Sequence, residues 1–452
     1  MIYTLRDYQT AAVEAISDFV YHAKGRKNKA IVVAPCGAGK SLIIGNAVHN
    51  LTMKTLVIQP SVELLKQNFD KYISYGNKAE IYSAALKSKT VGEVTFATPL
   101  SLKGKHELFK DVELVFVDEA HTFCKTGSVL DEFISQLSPS VKVVGLTATP
   151  VLLRQGMYGA ELKMLNRTRD SIFQRIIHVT QITEVIDNGF WTPLTYKVAT
   201  QDKSMLSSNS SGSDFTDGSL EKYYFDNDLT SEIIKIQREN SHLKSFIIFV
   251  PSVRAAEDIA SKIEGMVPLS AKTNKSVRES IVKAFLDNRI RGIVNVNVLS
   301  TGFDKPDLSC VIDCTPTMSI SKYYQKLGRV VRRSEGKEMG YIYDLGNNYE
   351  RFGKIEDLKF EDIDSLGWIM SSNGFVLSGR PIEAPKVSIE TLLKKSPTKS
   401  IGDTMWFGKY KGHPYDKIPK NYISWILNSS GWTFDTPKMK ELQNKFQQIL
   451  KG

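Results

Sequence analysis

The fold is decided by residues 30–41, which read Ala30-Ile31-Val32-Val33-Ala34-Pro35-Cys36-Gly37-Ala38-Gly39-Lys40-Ser41. The apolar, β-branched half predicts a buried strand, and the glycines at 37 and 39 let the backbone turn tightly around one anion. The segment Leu42 to Leu51 predicts a helix whose positively polarised N-terminus faces the same turn. We therefore expect a phosphate-binding loop, although an ordinary strand-turn-helix corner is the alternative, because Ala34 stands where the usual pattern has glycine.

Each residue of this loop has an expected role. Backbone groups of the loop would surround the phosphates of a bound nucleotide, Lys40 would reach the β- and γ-phosphates, and the Ser41 hydroxyl would hold Mg2+. The loop residues expected to bind the nucleotide are Pro35, Cys36, Gly37, Ala38, Gly39, Lys40 and Ser41.

Apolar runs of strand length alternate with helix-like segments after this loop. The predicted strands are 55–59, 114–117 and 141–146, together with a strand and turn at 94–99, and residues 62–72 predict a helix after the first strand. Such alternation is typical of a parallel sheet that is covered on both faces. Ligands of these sheets bind at the carboxyl ends of the strands.

A pair of carboxylates, Asp118-Glu119, follows the predicted strand 114–117. At a strand end, Asp118 can hold the metal ion, directly or through water, and Glu119 can polarise an attacking water. Acidic residues at strand ends also serve as helix caps, which is the alternative. The phosphate-binding loop makes the catalytic interpretation the better one.

A second alternating pattern begins at Phe246-Ile247-Ile248-Phe249-Val250 and closes with a basic segment, 321–333. Arg329 and Arg332 lie one helical turn apart in that segment, so both can point the same way. An arginine that arrives from another domain can accelerate phosphoryl transfer by about a thousandfold or more.

Three motifs, in this order, resemble motifs I, II and III of superfamily 2 helicases and translocases: Gly37-Ala38-Gly39-Lys40-Ser41, Asp118-Glu119-Ala120-His121 and Thr147-Ala148-Thr149-Pro150. The segment containing Gln325, Gly328, Arg329 and Arg332 is similar to motif VI. The resemblance implies an α/β fold of two tandem RecA-like domains with parallel sheets, with ATP and Mg2+ bound in the cleft between them.

The resemblance also implies site residues beyond the loop. The expected catalytic residues are Lys40, Asp118, Glu119, Gln325, Arg329 and Arg332, with Ser41 and Asp118 on the metal. The expected nucleotide contacts also include Arg6, Gln9 and Asp304. The side-chain amide of Gln9 has the donor and acceptor edges that adenine requires. The expected nucleic-acid contacts are Gln59, Pro60, Ser61, Thr98, Pro99, Ser300 and Thr301, at strand ends suited to backbone phosphates.

The motifs resemble the DNA branch of the superfamily more than the RNA branch. Motif III reads Thr-Ala-Thr rather than Ser-Ala-Thr, and motif VI begins Gln325-Lys326 rather than His-Arg. Residues 164–169 and 173–179 further resemble phage helicases that branch-migrate recombination intermediates and remodel stalled forks. We expect a DNA helicase acting on branched DNA. The alternatives are a double-stranded DNA translocase of the restriction type, an RNA helicase, and a nucleic-acid-binding scaffold without turnover.

The length fits two large domains and a smaller unit. We expect RecA-like domains at 1–190 and 191–350, a linker or accessory segment at 351–395, and a small aromatic and basic C-terminal module at 396–452. The basic residues of 151–193 would form either a DNA-facing surface or a solvated helix face. The lysines and aromatics of the module would form either a nucleic-acid contact or a small core with a solvated edge.

Composition limits the class of protein. The net charge of +10 favours a polyanionic partner, since Lys and Arg that neutralise phosphates release counterions. The absence of a bilayer-length apolar run predicts no membrane partner and a cytoplasmic protein. The four cysteines lack the spacing of a zinc site and are expected to be reduced. The sequence names no protein partner.

Overall fold

The computed structural model describes residues 4–23, 28–168, 171–298, 305–363, 366–395, 404–428, 434 and 437–451. Three of the expected site residues, Ser300, Thr301 and Asp304, lie outside the described residues.

The first unit is a mainly parallel sheet covered by helices. Its strands are β1 (Lys29–Val33), β2 (Thr55–Ile58), β3 (Glu80–Ser83), β4 (Ser88–Lys89), β5 (Val94–Ala97), β6 (Leu114–Asp118), β7 (Lys142–Thr147) and, after a separate hairpin of β8 (Val151–Gly156) and β9 (Gly159–Met164), β10 (Ile176–Val179). Its helices are α1 (Asp7–His22), α2 (Lys40–Leu51), α3 (Val62–Ser74), α4 (Pro99–Leu102), α5 (Val129–Ser135) and α6 (Ile182–Asp187).

Within the described residues the strand order of this sheet is β10-β1-β7-β6-β2-β5-β3-β4, and only β3 and β4 pair antiparallel. The central strands are buried along their whole length, since both faces of the sheet are covered. The phosphate-binding loop, the Asp118-Glu119 pair and Thr147 follow three neighbouring strands, so they meet at one edge of the sheet.

The second unit repeats this architecture. Its strands are β11 (Leu194–Val198), β12 (Phe246–Phe249), β13 (Met266–Ser270), β14 (Gly292–Val296), β15 (Cys310–Asp313) and β16 (Gly340–Asp344), and its helices are α7 (Asp217–Asp226), α8 (Leu229–Glu239), α9 (Val253–Lys262), α10 (Lys275–Leu286), α11 (Ile320–Leu327) and α12 (Asn348–Phe352). These strands pair in parallel in the order β11-β16-β15-β12-β14-β13. The predicted fold, two RecA-like units with parallel sheets, is confirmed.

The remaining chain adds two small units. The first is an antiparallel sheet of β17 (Leu358–Ile363), β18 (Gly367–Ser372) and β19 (Phe375–Val376), followed by α13 (Ile389–Lys395). The second contains α14 (Lys420–Asn428) and α15 (Pro437–Lys451), which have a hydrophobic core of their own around Tyr415 and Phe446.

One expectation about residues 151–193 is wrong. Arg154 and Lys163 lie on the paired strands β8 and β9, so they do not belong to a solvated helix face. The basic residues had suggested a helix, but the alternation of buried and more exposed residues along β9 has the two-residue period of a strand.

Candidate active site

The phosphate-binding loop has the predicted geometry. Gly37 and Gly39 have φ values of +76° and +81°, in the left-handed region that glycine adopts without strain. Helix α2 begins at Lys40, so its N-terminal N–H groups point into the loop. A Cβ at position 39 would lie 2.4 Å from the Gln9 amide nitrogen, so this position has no room for a side chain.

The loop and the Asp118-Glu119 pair are joined by an ion pair. The Lys40 ammonium donates to Glu119 Oε1 at 2.6 Å, and both side chains are largely buried. Burial alone would lower the pKa of Lys40, but the carboxylates of Glu119 and Asp118 raise it above its usual value. Burial alone would raise the pKa of Glu119, but the Lys40 charge and His121 hold it below its usual value. Both groups of the pair are therefore charged at neutral pH.

The backbone of Glu119 is held in an uncommon conformation. Its φ is +46°, in the left-handed region, and its N–H donates to Asp118 Oδ1 at 2.9 Å. Such a residue costs of order 1–3 kcal/mol and is typical of functional sites. From this strand end the two carboxylates reach different partners, Lys40 for Glu119 and Asn68 for Asp118.

A set of oxygen atoms suited to Mg2+ lies next to this pair. Ser41 Oγ donates to Asn68 Oδ1 at 2.8 Å, and Asn68 Nδ2 donates to Asp118 Oδ2 at 3.2 Å. Burial raises the pKa of Asp118 to about 6, with the Lys40 charge opposing this and the Glu119 charge adding to it. Hard oxygen donors such as the Ser41 hydroxyl and the Asp118 carboxylate are those that Mg2+ takes while keeping several waters. These residues fit the ion, and Asn68 positions both of them.

His121 connects the site to motif III and to the second unit. Its Nδ1 lies 2.8 Å from Thr147 Oγ1, and the Gln325 amide nitrogen lies 3.4 Å from its Nε2. Burial lowers the pKa of His121, with Glu119 opposing this, so the ring is neutral at pH 7. A neutral ring can donate through Nδ1 and accept through Nε2, which matches both partners.

The second unit contacts the phosphate-binding loop directly. The Cys36 N–H donates to the Tyr324 hydroxyl at 3.1 Å, and the Trp191 indole N–H donates to Cys36 O at 2.9 Å. A Cβ at Gly328 would lie 2.8 Å from Cys36 Sγ, so the C-terminus of α11 lies against the loop itself. At the other end of the helix, Thr149 Oγ1 donates to Ser321 Oγ at 2.8 Å.

A cleft of about 400 Å³ between the two units brings most of the predicted site together. Its lining residues include Arg6, Pro35, Cys36, Gly37, Gly39, Lys40, Ser41, Asp118, Glu119, Gln325, Gly328, Arg329 and Arg332. The Arg6 guanidinium lies over the Phe190 ring, 3.2 Å from its centroid, at one side of this cleft. Catalytic candidates from both units therefore face one cavity.

Gln9 lies against the loop but is buried and does not line the cleft. Its Nε2 donates to Ala38 O at 2.7 Å, and its Oε1 accepts from the Arg6 N–H at 3.0 Å. One hydrogen and one lone pair of the amide remain for a ligand. In this conformation Gln9 supports the shape of the loop.

The expected nucleic-acid contacts are less accessible than the nucleotide site. Gln59 is fully buried, and its Oε1 accepts from Asn68 Nδ2 at 2.9 Å, so in this conformation it supports the metal-site residues. Ser61 caps α3 by accepting from the Leu64 N–H, and the Thr98 hydroxyl pairs with Ser101 Oγ. Pro60 is partly exposed next to Ser61, whereas Pro99 is buried in α4.

Several site residues were missed by sequence reasoning. They are Tyr324, Trp191, Asn68 and Phe190. Each contacts the loop, the metal-site residues or Arg6, from which it is far away in the sequence. Only Tyr324 carried a usable signal, since it directly precedes Gln325 in motif VI. Burial of a polar residue such as Asn68 in an amphipathic helix leaves no mark in a single sequence.

Two family models match the chain where the site residues lie. The model described as "Type III restriction enzyme, res subunit" matches residues 2–152, and the "Helicase conserved C-terminal domain" matches residues 227–334. The chain belongs to superfamily 2 of the helicases. The first match contains the phosphate-binding loop and Asp118-Glu119, and the second contains Arg329 and Arg332, so the candidate site residues fall within both matches.

Individual relatives of this helicase are distant. "Putative helicase 22" of Sulfolobus islandicus filamentous virus is 25% identical over 397 residues, which are 80% of this chain and 68% of the relative. "DNA 3'-5' translocase XPB2" of Sulfurisphaera tokodaii is 23% identical over 363 residues, 73% of this chain and 79% of the relative.

Among solved structures, the fold is similar to that of the "ATP-dependent Type ISP restriction-modification enzyme LlaBIII bound to DNA". The TM-score is 0.56 at 17% identity, and the match covers 76% of this chain but 27% of LlaBIII. At this identity the likeness shows the fold alone. None of the described helices is long and apolar enough to cross a membrane.

Proposed function

We propose that this helicase uses ATP hydrolysis to move along DNA and to unwind it at branched ends, such as forks and four-way junctions. The observation that carries the proposal is the shared cleft, in which Lys40 and Glu119 of the first unit face Arg329 and Arg332 of the second. A cleft lined from both sides lets ATP binding draw the units together and hydrolysis release them.

Lys40 has two competing partners in this mechanism. Its ammonium donates to Glu119 Oε1 at 2.6 Å, and the phosphates of ATP would also attract it. A Glu119 carboxylate released by Lys40 would be able to accept a proton from the attacking water.

Ser41 and Asp118 would hold Mg2+, which would supply positive charge against the phosphates of bound ATP. Arg329 and Arg332 would stabilise the charge that develops on the γ-phosphate oxygens. Gln325 and His121 would couple the binding of the γ-phosphate to the relative position of the two units, because they contact each other directly across the cleft.

DNA is supported as the partner by charge and by relatives. The chain carries a net charge of +10, which favours binding to phosphate backbones. XPB2 is named a DNA translocase and LlaBIII is bound to DNA in its structure. A viral relative favours the cytoplasm of an infected host as the place of action.

A second candidate is a translocase that moves along duplex DNA without separating its strands. The fold likeness to a restriction enzyme and the similarity to XPB2 favour it. The two candidates differ in which nucleic acid should stimulate ATP hydrolysis, since a translocase responds to intact duplex.

The test is the ATPase rate with no nucleic acid, single-stranded DNA, duplex, fork, four-way junction and RNA, with unwinding of each substrate at fixed low salt. Salt is fixed because phosphate-driven affinity falls steeply with ionic strength. Strongest stimulation and unwinding with forks and junctions would support the proposal. Stimulation by duplex without strand separation would support the translocase, and preference for RNA would reject both.

A further inference from the structure

The hairpin of β8 and β9 has an unusual tip. Its strands pair from Val151 with Met164 to Gly156 with Gly159, which leaves Met157 and Tyr158 as a two-residue turn. Neither Met157 nor Tyr158 has a positive φ, whereas the next residue, Gly159, has a φ of +124°. The backbone of this turn therefore places no special demand on residues 157 and 158, so the turn itself does not require a methionine and a tyrosine.

Both tip residues are almost fully exposed. Met157 is 87% exposed and Tyr158 is 81% exposed, more than any other large hydrophobic residue described. Neither packs into the core, so they contribute little to folding. An exposed aromatic and an exposed thioether side by side are suited to contact with another apolar surface.

The stem below this tip is firmly held. Val151, Leu152, Leu162 and Met164 are buried in the core of the first unit. The outer edge of β9 is covered by residues 379–382, since the Gly379 N–H donates to Leu162 O at 2.6 Å and the Ile382 N–H donates to Ala160 O at 2.8 Å. A two-stranded hairpin is marginal alone, and such a third segment makes it rigid.

The hairpin also lies where the ATP site can act on it. It follows Thr149, whose hydroxyl donates to Ser321 of α11, the helix that leads into Arg329 and Arg332. Near the tip, Gln155 touches the second unit closely, because a Cβ at Gly212 would be 2.6 Å from Gln155 Oε1. Closing and opening of the cleft would therefore shift the second unit against the side of the hairpin.

The hairpin shares an edge of the sheet with the expected DNA contacts. It follows β7, while Ser61 and Thr98 follow β2 and β5, and these parallel strands end at the same edge. A strand of DNA that runs along this edge would lead toward the hairpin.

We propose that the β8–β9 hairpin is the element that separates the strands, with Tyr158 stacking on the last base pair of the duplex and Met157 packing beside it. This inference rests on the proposed function. A base pair at a fork has one uncovered face, and an aromatic ring on a rigid support can cover it while the motor pulls one strand past. Base–aromatic stacking needs no sequence recognition, which suits a motor that must pass every sequence.

The test removes both apolar side chains with the double substitution Met157→Ser and Tyr158→Ser. Serine is common in turns and neither position has a positive φ, so the hairpin and the ATP site are expected to stay folded. Single-turnover unwinding of a forked duplex should fall about tenfold or more, the order expected when a base loses an aromatic stacking partner. ATPase stimulated by single-stranded DNA, and displacement of streptavidin from a biotinylated single strand, should stay unchanged.

Two further measurements make the result specific. A 2-aminopurine placed at the first base pair of the fork should change fluorescence on binding of wild type and of Tyr158→Phe, and not on binding of Tyr158→Ala. Tyr21→Ala is the matched control, because Tyr21 is also an exposed tyrosine, at 64%, but lies on α1. It should unwind like wild type.

The outcomes separate this inference from the proposed function. If wild type unwinds forks and the double variant Met157→Ser, Tyr158→Ser unwinds them equally well, the hairpin is not the separating element and the proposed function stands. If ATPase and unwinding fall together in the variant, the hairpin serves the motor and the inference is overturned. If wild type moves on DNA without separating any fork, the proposed function fails and this inference fails with it.

Discussion

Gly328→Ala tests whether the two units must touch at the phosphate-binding loop for hydrolysis. Gly328 has φ −59° and ψ −6°, an ordinary helical conformation that alanine can also adopt. Its Cβ would lie 2.8 Å from Cys36 Sγ and 2.9 Å from Tyr324 O, whereas ordinary contacts begin at 3.4 Å. The contact with Cys36 is relieved when α11 moves away from the loop, whereas the contact with Tyr324 O, which belongs to α11, requires the end of the helix itself to shift.

The size of the effect follows from that distance. The α11 helix would have to retreat by roughly half an ångström or more, and a misplacement of about 1 Å can cost on the order of a hundredfold in rate. We expect kcat of the DNA-stimulated ATPase to fall about 10- to 100-fold. ATP affinity should change little, because Lys40 and the loop belong to the first unit.

The assay is steady-state hydrolysis at saturating single-stranded DNA, with ATP affinity measured by equilibrium binding. Cys36→Ala in the Gly328→Ala background removes the sulfur atom and should restore part of the rate. The restoration is partial because Tyr324 O at 2.9 Å and Cys36 Cβ at 3.3 Å remain. Gly218→Ala is the control, since a Cβ there meets nothing within 4 Å. Full activity of Gly328→Ala, or no rescue by Cys36→Ala, would refute the reasoning.

Three further substitutions have defined outcomes. Glu119→Gln should lower kcat by about 10²–10⁴-fold, as expected for loss of a general base, while ATP still binds because Lys40 is retained and freed from its ion pair. Lys326→Ala should lower the free energy of unfolding in urea by about 3–5 kcal/mol, because it leaves the buried carboxylate of Asp313, 2.8 Å from the ammonium, without its cation. Gly39→Ala should abolish ATP binding in an equilibrium assay while the protein stays folded by circular dichroism, because its φ of +81° and crowded position exclude a side chain.

Each of these has a contradicting result. Hydrolysis at the wild-type rate by Glu119→Gln would remove it as the base. An unchanged urea midpoint for Lys326→Ala would mean that its ion pair with Asp313 contributes nothing net. Normal ATP binding by Gly39→Ala would mean that the loop does not hold the phosphates as described.

Local chemistry made the first half of the ATP site predictable. A strand, two glycines, a lysine and a helix must follow each other within a few residues for a phosphate-binding loop, so the pattern is visible in 30–41. The predicted helix, 42–51, differs from the observed α2 by two residues at its start. Asp118 and Glu119 were also predictable, because their position depends only on where one strand ends.

Contacts across the chain were not predictable from one sequence. Trp191 read as part of a turn, yet its indole holds Cys36, 155 residues earlier. Nothing in the local pattern of either residue requires the other, since the contact arises only when the two sheets face each other. Lys326 is a similar case, because the sequence used it to distinguish DNA from RNA helicases, whereas its ammonium is buried against Asp313.

The hairpin shows a different limit. In the sequence, the basic residues Arg154 and Lys163 suggest a charged surface. They hide the two-residue alternation of buried and more exposed side chains that marks a strand. The exposed Met157 and Tyr158 could not be distinguished from core residues by type alone, since only the structure shows which apolar side chains stay outside.

The most direct test of the account is single-turnover unwinding of a forked DNA duplex by wild type and by Glu119→Gln, each bound to the fork before the reaction is started. The account predicts that wild type separates the strands after ATP and Mg2+ are added together. It predicts that Glu119→Gln binds both ATP and the fork but separates nothing, because hydrolysis drives opening of the cleft. Strand separation by Glu119→Gln, or none by wild type despite ATP hydrolysis, would contradict it.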